Sequence, residues 1–243
     1  MGSWKRLLLC ALLAYLPVAT ASEPTATPVT QREVRSLPPR LTLIYDVRMG
    51  DGGLTLGQGT YTWQAGGGRY HLESVARATG LTALVMSGQI RQRSEGRLEP
   101  GGLVPQQFWQ VRGAKKPETA RFDWGRRVVV LRKGEEELRQ GGQDLLSFPF
   151  HLALTVAETD PAWDMPVTNG RYMKDYRFHV LGRERLRAVG EMLDTLHVQG
   201  SRAEDGSLDV WLAPTHHWLP VRIRTQDNKK GTVMQLTLAR IKD

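Results

Sequence analysis

Residues 143–156, QDLLSFPFHLALTV, form the longest apolar run left once the N-terminal leader is set aside, and any fold this chain adopts has to enclose it. Seven large side chains lie in it: Leu145, Leu146, Phe148, Phe150, Leu152, Leu154 and Val156. At roughly 1.5–3 kcal/mol each, their burial contributes about 10–20 kcal/mol of gross stabilisation, an upper bound because unfolded chains are themselves partly collapsed. With period two, Phe148, Phe150, Leu152, Leu154 and Val156 share one strand face; as a helix, the segment is apolar nearly all round. Pro149 favours the helix, since proline is tolerated in a first helical turn but removes a ladder bond from a central strand. Asp144 or Ser147 stands ahead of it as an N-cap candidate. The expectation is one buried helix.

On both sides of this run the chain reads as strands. Leu41, Leu43, Tyr45 and Val47 alternate with Thr42, Asp46 and Arg48 and lead into a turn at Gly50-Asp51-Gly52-Gly53. Leu54 to Gln64 returns, with Gly57 and Gly59 suited to a bend or a close backbone approach, and Gly66-Gly67-Gly68 turns into Arg69 to Ala78. Gly80 to Leu84 reads as a helical turn or bulge, Leu98 to Pro105 as a loop, and Pro161 to Pro166 as another. Further strands fall at Gln89 to Glu95, Gln106 to Arg112, Glu118 to Trp124 and Arg127 to Arg132. Asn169-Gly170 is the strongest hairpin signal, and alternation resumes from Tyr176 to Arg187 and in four segments after Gly190. The fold class expected is mainly β: a half-open antiparallel β-barrel of about ten to twelve strands wrapped around one buried helix.

The first residues read as an address. Lys5 and Arg6 precede an apolar stretch from Leu7 to Leu16, and Ala19-Thr20-Ala21 has the small-x-small pattern of a cleavage site, so residues 1–21 are expected to be a cleavable signal peptide. The apolar stretch is too short for a resident span, and no transmembrane segment is expected in the mature chain. Cys10 stands in the middle of that stretch, which argues against a lipid anchor, and it is the only cysteine. A mature chain without cysteine relies on packing, with disulfide and thiolate chemistry excluded. Residues 22–39, with Pro24, Pro28, Pro38 and Pro39, read as a flexible linker, and 40–243 as a single β-rich domain. The formal charge of +8 falls to +6 without Lys5 and Arg6; it suits anionic envelope surfaces, and export argues against nucleic acid as a partner.

Several segments together resemble one family. Leu43-x-Tyr45, Gly57-x-Gly59-x-Tyr61, Gly80-Leu81, Ser94-Glu95-Gly96, Gly102-Leu103-x-Pro105, Phe122-Asp123-Trp124, Gly142-Gln143-Asp144-x-Leu146-Ser147, Trp211-Leu212-Ala213 and Leu219-Pro220-Val221-Arg222 are similar to the proteobacterial exported family catalogued as domain of unknown function 3108. The resemblance covers roughly residues 40 to 241 and implies a periplasmic β-rich domain with no settled activity. More loosely, a twisted half-barrel over a helix looks like the fold of periplasmic lipoprotein carriers, whose concave face holds acyl chains.

Residues with chemical potential are few. His71, His151, His179, His197, His216 and His217 lack metal-ligand spacing, so no metal and no cofactor is expected. There is no Gly-x-Ser-x-Gly elbow, and Ser147 reads as a helix cap. Asp123 and Asp144 would have to pair to serve a cell-wall glycan hydrolase, although each also fits a turn or a cap. Tyr45, Trp63, Trp109, Phe122, Phe150 and Trp211 are candidate ligand-binding residues lining a concave apolar pocket, with core packing as the plainer role. Arg183, Arg185 and Arg187, then Arg222 and Arg224, recur at period two as basic stripes for an anion or partner.

The functional expectation is a non-catalytic periplasmic protein of cell-envelope maintenance that binds a lipid, a lipoprotein acyl chain or another hydrophobic ligand between sheet and helix. The alternatives are a scaffold holding an envelope protein through its basic outer face, and the glycan hydrolase.

Overall fold

The computed structural model describes residues 35–50, 55–79, 88–202 and 205–242. Eight strands come first: β1 (Arg40–Met49), β2 (Thr55–Gly66), β3 (Arg69–Ala78), β4 (Gln89–Glu99), β5 (Gly102–Arg112), β6 (Glu118–Asp123), β7 (Val128–Leu131) and β8 (Gly134–Glu137). Each pairs antiparallel with the next, so they form one continuous meander. The chain then makes the two-residue β9 (Gln143–Asp144) and the helix α1 (Phe148–Thr155). Six strands follow: β10 (Trp163–Thr168), β11 (Met173–Ala188), β12 (Glu191–Arg202), β13 (Gly206–Ala213), β14 (Leu219–Asp227) and β15 (Thr232–Lys242). The second meander ends by laying β15 against β1, from Thr42 opposite Lys242 to Met49 opposite Met234.

Two arms therefore share the β1–β15 seam, and the connection between them, β9 with α1, runs through the middle. Among the described residues this gives one fifteen-stranded sheet with β8 and β9 as its edges. It does not close into a barrel, and it has more strands than the ten to twelve expected. Parts of three strands, β4, β5 and β10, occupy stretches expected as loops. β4 and β5 run almost to Pro100-Gly101, with Pro105 at a bulge where Glu95 pairs with Gln107 and Gly96 with Pro105. Pro166 lies in β10 opposite Asp175, and β9 reaches only Val167 and Thr168, so the proline sits where the strand has no second neighbour. β8 was hidden in a run of glutamates whose side chains are all exposed. The expected Gly80–Leu84 turn and most of the Gly50–Gly53 turn lie outside the described residues.

The central segment is a helix, and it is buried: Leu146, Phe148, Phe150, Leu152, Leu154 and Val156 are all 8% exposed or less. Its lack of polar periodicity has a direct cause. Phe150 and Leu154 pack into one buried cluster with Trp63, Leu72, Phe108 and Leu131 of the first arm; Phe148, Leu152, Ala153 and Val156 pack into another with Met165, Phe178, Val198 and Val210 of the second. A helix with a wall on each side has no solvent face to make polar. Gly57 marks the close approach expected of it, since a Cβ there would lie 1.9 Å from the Arg77 carbonyl oxygen. Residues 35–39, at the end of the segment expected as linker, are tied down: the Trp63 Nε1–H donates to the Pro38 carbonyl at 3.0 Å, and the Ala65 N–H to that of Pro39 at 2.8 Å.

Candidate functional site

Of the six candidate aromatics, Tyr45, Trp63, Phe122, Phe150 and Trp211 belong to one buried cluster. Their side chains pack within it. Trp63 is stacked between Tyr70, at 6.0 Å between centroids, and Phe150, at 5.7 Å. Tyr45 sits edge-on to Tyr61 at 4.9 Å and donates its hydroxyl to the Pro220 carbonyl at 2.7 Å. Burial raises the phenols of Tyr45 and Tyr61, the latter to about 12. Trp109 is separate. Ser94, Phe108, Ala120 and Leu131 lie side by side across β4 to β7 and are all buried. Trp109, one residue on from Phe108, consequently points to the opposite, outer face.

Where β9 and α1 meet the wall of the first arm, a buried polar cluster replaces the missing ladder. The Ser94 hydroxyl donates to Asp144 Oδ2 at 2.6 Å, and Tyr70 shares a 3.0 Å bond with Ser94. Asp144 Oδ1 accepts the N–H groups of Leu146 at 2.9 Å and Ser147 at 2.8 Å. Ser147 stands at the N-cap position, yet its hydroxyl accepts the Asp144 N–H at 2.9 Å instead of bonding a helical N–H. The side-chain cap expected of Asp144 or Ser147 is thus an Asp–Ser knot just ahead of the helix. Burial pushes the Asp144 carboxyl up to about 6, against the opposing pull of its hydrogen bonds.

A turn later, His151 Nδ1 accepts the Leu103 N–H at 3.2 Å, and Gln143 Nε2 donates to the Leu103 carbonyl at 2.9 Å. Burial lowers the His151 imidazole to about 4, so it is neutral here. Gln143 Oε1 is buried with no hydrogen-bond partner. The sequence singles out Asp144 but not Ser94, Gln143 and His151 as its companions. The one available signal was the His at 151 inside an otherwise apolar run, which has to find a polar partner once enclosed.

The arginine stripes are largely engaged. Arg183 grips Glu158 through Nε at 3.0 Å and Nη2 at 2.8 Å, Arg185 faces Asp194 at 3.4 Å, and Arg187 Nη1 donates to the Gly190 carbonyl at 3.3 Å. Arg224 Nη2 donates to Gln226 at 3.4 Å. Arg222 lies over the Trp211 ring at 5.6 Å, its pKa lowered by burial. That indole stacks on His197 at 4.0 Å, and both His197 nitrogens meet carboxylates: Nδ1 with Glu184 at 2.7 Å and Nε2 with Asp209 at 2.9 Å. Trp211 Nε1–H donates to Glu184 at 2.9 Å. Burial pushes the Glu184 and Asp209 carboxyls up, but hydrogen bonds from Trp211, His197, Ser207 and Gln199 outweigh it and leave both below their usual range.

As chemistry, these clusters hold structure together. Asp123 Oδ1 accepts the Arg126 N–H at 2.9 Å in a turn, while Asp144 is enclosed with both oxygens occupied. Among the described residues no group of three or more His, Cys, Asp or Glu is placed to hold a metal ion, and no helix is long and apolar enough to cross a membrane.

The family model described as protein of unknown function DUF3108 matches residues 44–237. No curated protein matches the chain. Among solved structures, a β-barrel-like protein of the domain of unknown function DUF1849 from Brucella abortus is similar at 11% identity and a TM-score of 0.53, covering 83% of this chain and 96% of that one. At that identity the likeness concerns the fold. A domain named for outer membrane lipoprotein sorting from Vibrio parahaemolyticus covers 84% of each chain at 11% identity and a TM-score of 0.32. A LolA superfamily protein from Nitrosomonas europaea covers 86% of this chain and 88% of its own at 11% identity and a TM-score of 0.26.

Proposed function

The chain belongs to the DUF3108 family of proteins of unknown function, and from that premise we propose that it is an exported, non-catalytic binding protein of the cell envelope. Its ligand is an acyl chain or another hydrophobic moiety, taken up between the sheet and α1. The observation that carries this reading is the position of α1: apolar on both faces, it fills the middle of a sheet whose two edges, β8 and β9, are not joined to each other. A closed ladder would have to break to admit a guest. The arms of this open curl are bridged by side chains, through Asp144, Gln143 and His151 beside α1 and through Glu118 with Arg171, Glu136 with the Met173 N–H and Arg139 with Asp175 nearer its edges. It opens by releasing those bonds without breaking a strand ladder.

Because the interior is filled by Trp63, Phe150 and their neighbours, a guest replaces protein contacts with its own. Uptake then exchanges one apolar contact set for another, and the net affinity depends on how far α1 shifts. The envelope-protein alternative has less support, since Arg183 and Arg185 already face Glu158 and Asp194.

The test is to load the protein, purified with native mass spectrometry as a check on co-purifying lipid, with a palmitate carrying a photoactivatable diazirine. Cross-links on the peptides bearing Trp63 and Phe150 are expected. Failure to take up palmitate, or cross-links confined to the outer strand faces, would overturn the reading.

A further inference from the structure

The outer face of the first arm carries a depression of about 580 Å3, inside the range of roughly 300–1,000 Å3 typical of small-ligand clefts. Register explains its shape. Outside the buried Ser94–Phe108–Ala120–Leu131 row run two outward rows: Arg93, Trp109 and Thr119, and beside them Glu95, Gln107, Arg121 and Val130. The short side chains of Thr119 and Val130 leave a hollow that the longer ones surround, with the half-buried Trp109 indole on one side.

Polar groups around that indole divide into two sets. Arg93 is taken up by Glu73 at 2.6 Å, and Glu95 lies 3.4 Å from His71. Gln107, Thr119 and Arg121 have no side-chain partner among the described residues, and all three are exposed. Thr119 pairs directly with Trp109 across the strands, and Arg121 with Gln107. One aromatic plate thus adjoins an amide, a hydroxyl and a guanidinium, each with unused hydrogen-bonding capacity.

We propose that this groove binds an acidic saccharide, a sugar ring stacking its C–H face on Trp109 while its hydroxyls meet Gln107 and Thr119 and its carboxylate meets Arg121. Each part of the assignment has its reason. A flat aromatic surface beside neutral donors and acceptors suits a ring that is apolar on its face and polar at its rim. The guanidinium adds selection for a carboxylate, which it holds bidentately. An acyl chain would leave Gln107, Thr119 and Arg121 desolvated without partners, and a bare anion would make no use of the indole. The site faces away from α1 and is independent of the lipid reading.

The experiment is calorimetric titration of the full chain with trigalacturonate, maltotriose and inorganic phosphate. Trigalacturonate is expected to bind at least about tenfold more tightly than either of the others, a preference of about 1.4 kcal/mol, and less tightly as salt is raised. Arg121→Gln should erase the preference over maltotriose, and Trp109→Ala should weaken both sugars by about tenfold or more. Trp109→Phe, with a smaller ring and the strand pairing kept, should retain trigalacturonate binding and guards against a folding defect in the alanine variant. Phosphate binding as tight as trigalacturonate, equal affinity for maltotriose, indifference to Trp109→Ala, or no binding at all would each overturn the proposal. Palmitate cross-linking is expected to be unchanged in Arg121→Gln, so failure of either site is read separately.

Discussion

The Phe150 ring of α1 lies flat against the Trp63 indole of β2, with planes 2° apart and centroids separated by 5.7 Å. This contact joins the helix to the first arm at the centre of the molecule, where both residues are 1% exposed or less. Phe150→Ala is expected to destabilise the protein by about 3–5 kcal/mol, because it leaves a void between walls that the sheet holds apart. Urea denaturation followed by far-ultraviolet circular dichroism checks it. A loss below about 1 kcal/mol would mean that the site collapses freely around the missing ring.

Asp144 and His151 impose opposite pH dependences from the same cluster. The Asp144 carboxyl is raised from 3.8 to about 6, so the folded state holds its proton longer; its stabilising contribution is complete below about pH 4 and is lost as pH rises through 6. The His151 imidazole is lowered from 6.5 to about 4, so its contribution is complete above 6.5 and is lost as pH falls through 4. Each is worth roughly 3 kcal/mol at most, and between pH 4 and 6 the two offset each other. Asp144→Asn keeps an acceptor for the Leu146 and Ser147 N–H groups. Relative to the native chain it should gain stability as pH is raised from about 4 to 7, and His151→Gln should gain it as pH is lowered from about 6.5 to 4. Denaturation midpoints across that interval measure both. Parallel profiles for all three proteins would refute the account.

Adjacent glycines at the β4–β5 turn should respond differently. A Cβ on Gly102, which has φ +101°, would lie 2.6 Å from Thr155 Cγ2 and 2.7 Å from His151 Nδ1, whereas one on Gly101 meets nothing within 4 Å. Gly102→Ala combines backbone strain with a clash against α1 and is expected to cost about 2 kcal/mol or more, and Gly101→Ala to stay within about 0.5 kcal/mol. Thermal melts of the pair decide it, since equal melting temperatures would show that α1 does not press on β5.

The His197 cluster predicts a fourth outcome. Glu184 and Asp209 each place a carboxylate oxygen on one ring nitrogen of the buried His197, at 2.7 and 2.9 Å, and so compensate its enclosure. Replacing the 2% exposed Asp209 by Asn removes half of that compensation and is expected to cost roughly 1–3 kcal/mol. Arg183→Gln, which breaks an exposed pair with Glu158, should cost less than about 1 kcal/mol. Chemical denaturation ranks the two, and a larger loss for the surface pair would contradict the ordering.

Period-two alternation was enough to read β1 to β3 and most of the later strands, because one face of each is buried and the other is not. It failed at β8, whose four residues are all exposed, and at Pro105 and Pro166, where a bulge and a half-free strand accept a residue that argues against strand. The candidate site was legible only in its residue types. Trp109 and Trp63 look alike in sequence, and it is the parity of Trp109 relative to the buried Phe108 that sends it outward.

Amino-acid order alone determined that the chain is mainly β and that residues 143–156 must be enclosed, since both follow from local alternation and from the cost of leaving that much apolar surface in water. Tertiary structure alone decided that the sheet stays open, that Trp63 and Phe150 pack together in its interior, and that Asp144 meets Ser94 and His151 meets Leu103. Those outcomes depend on contacts between residues 50 and 48 positions apart, and no local pattern encodes which distant wall a side chain will face.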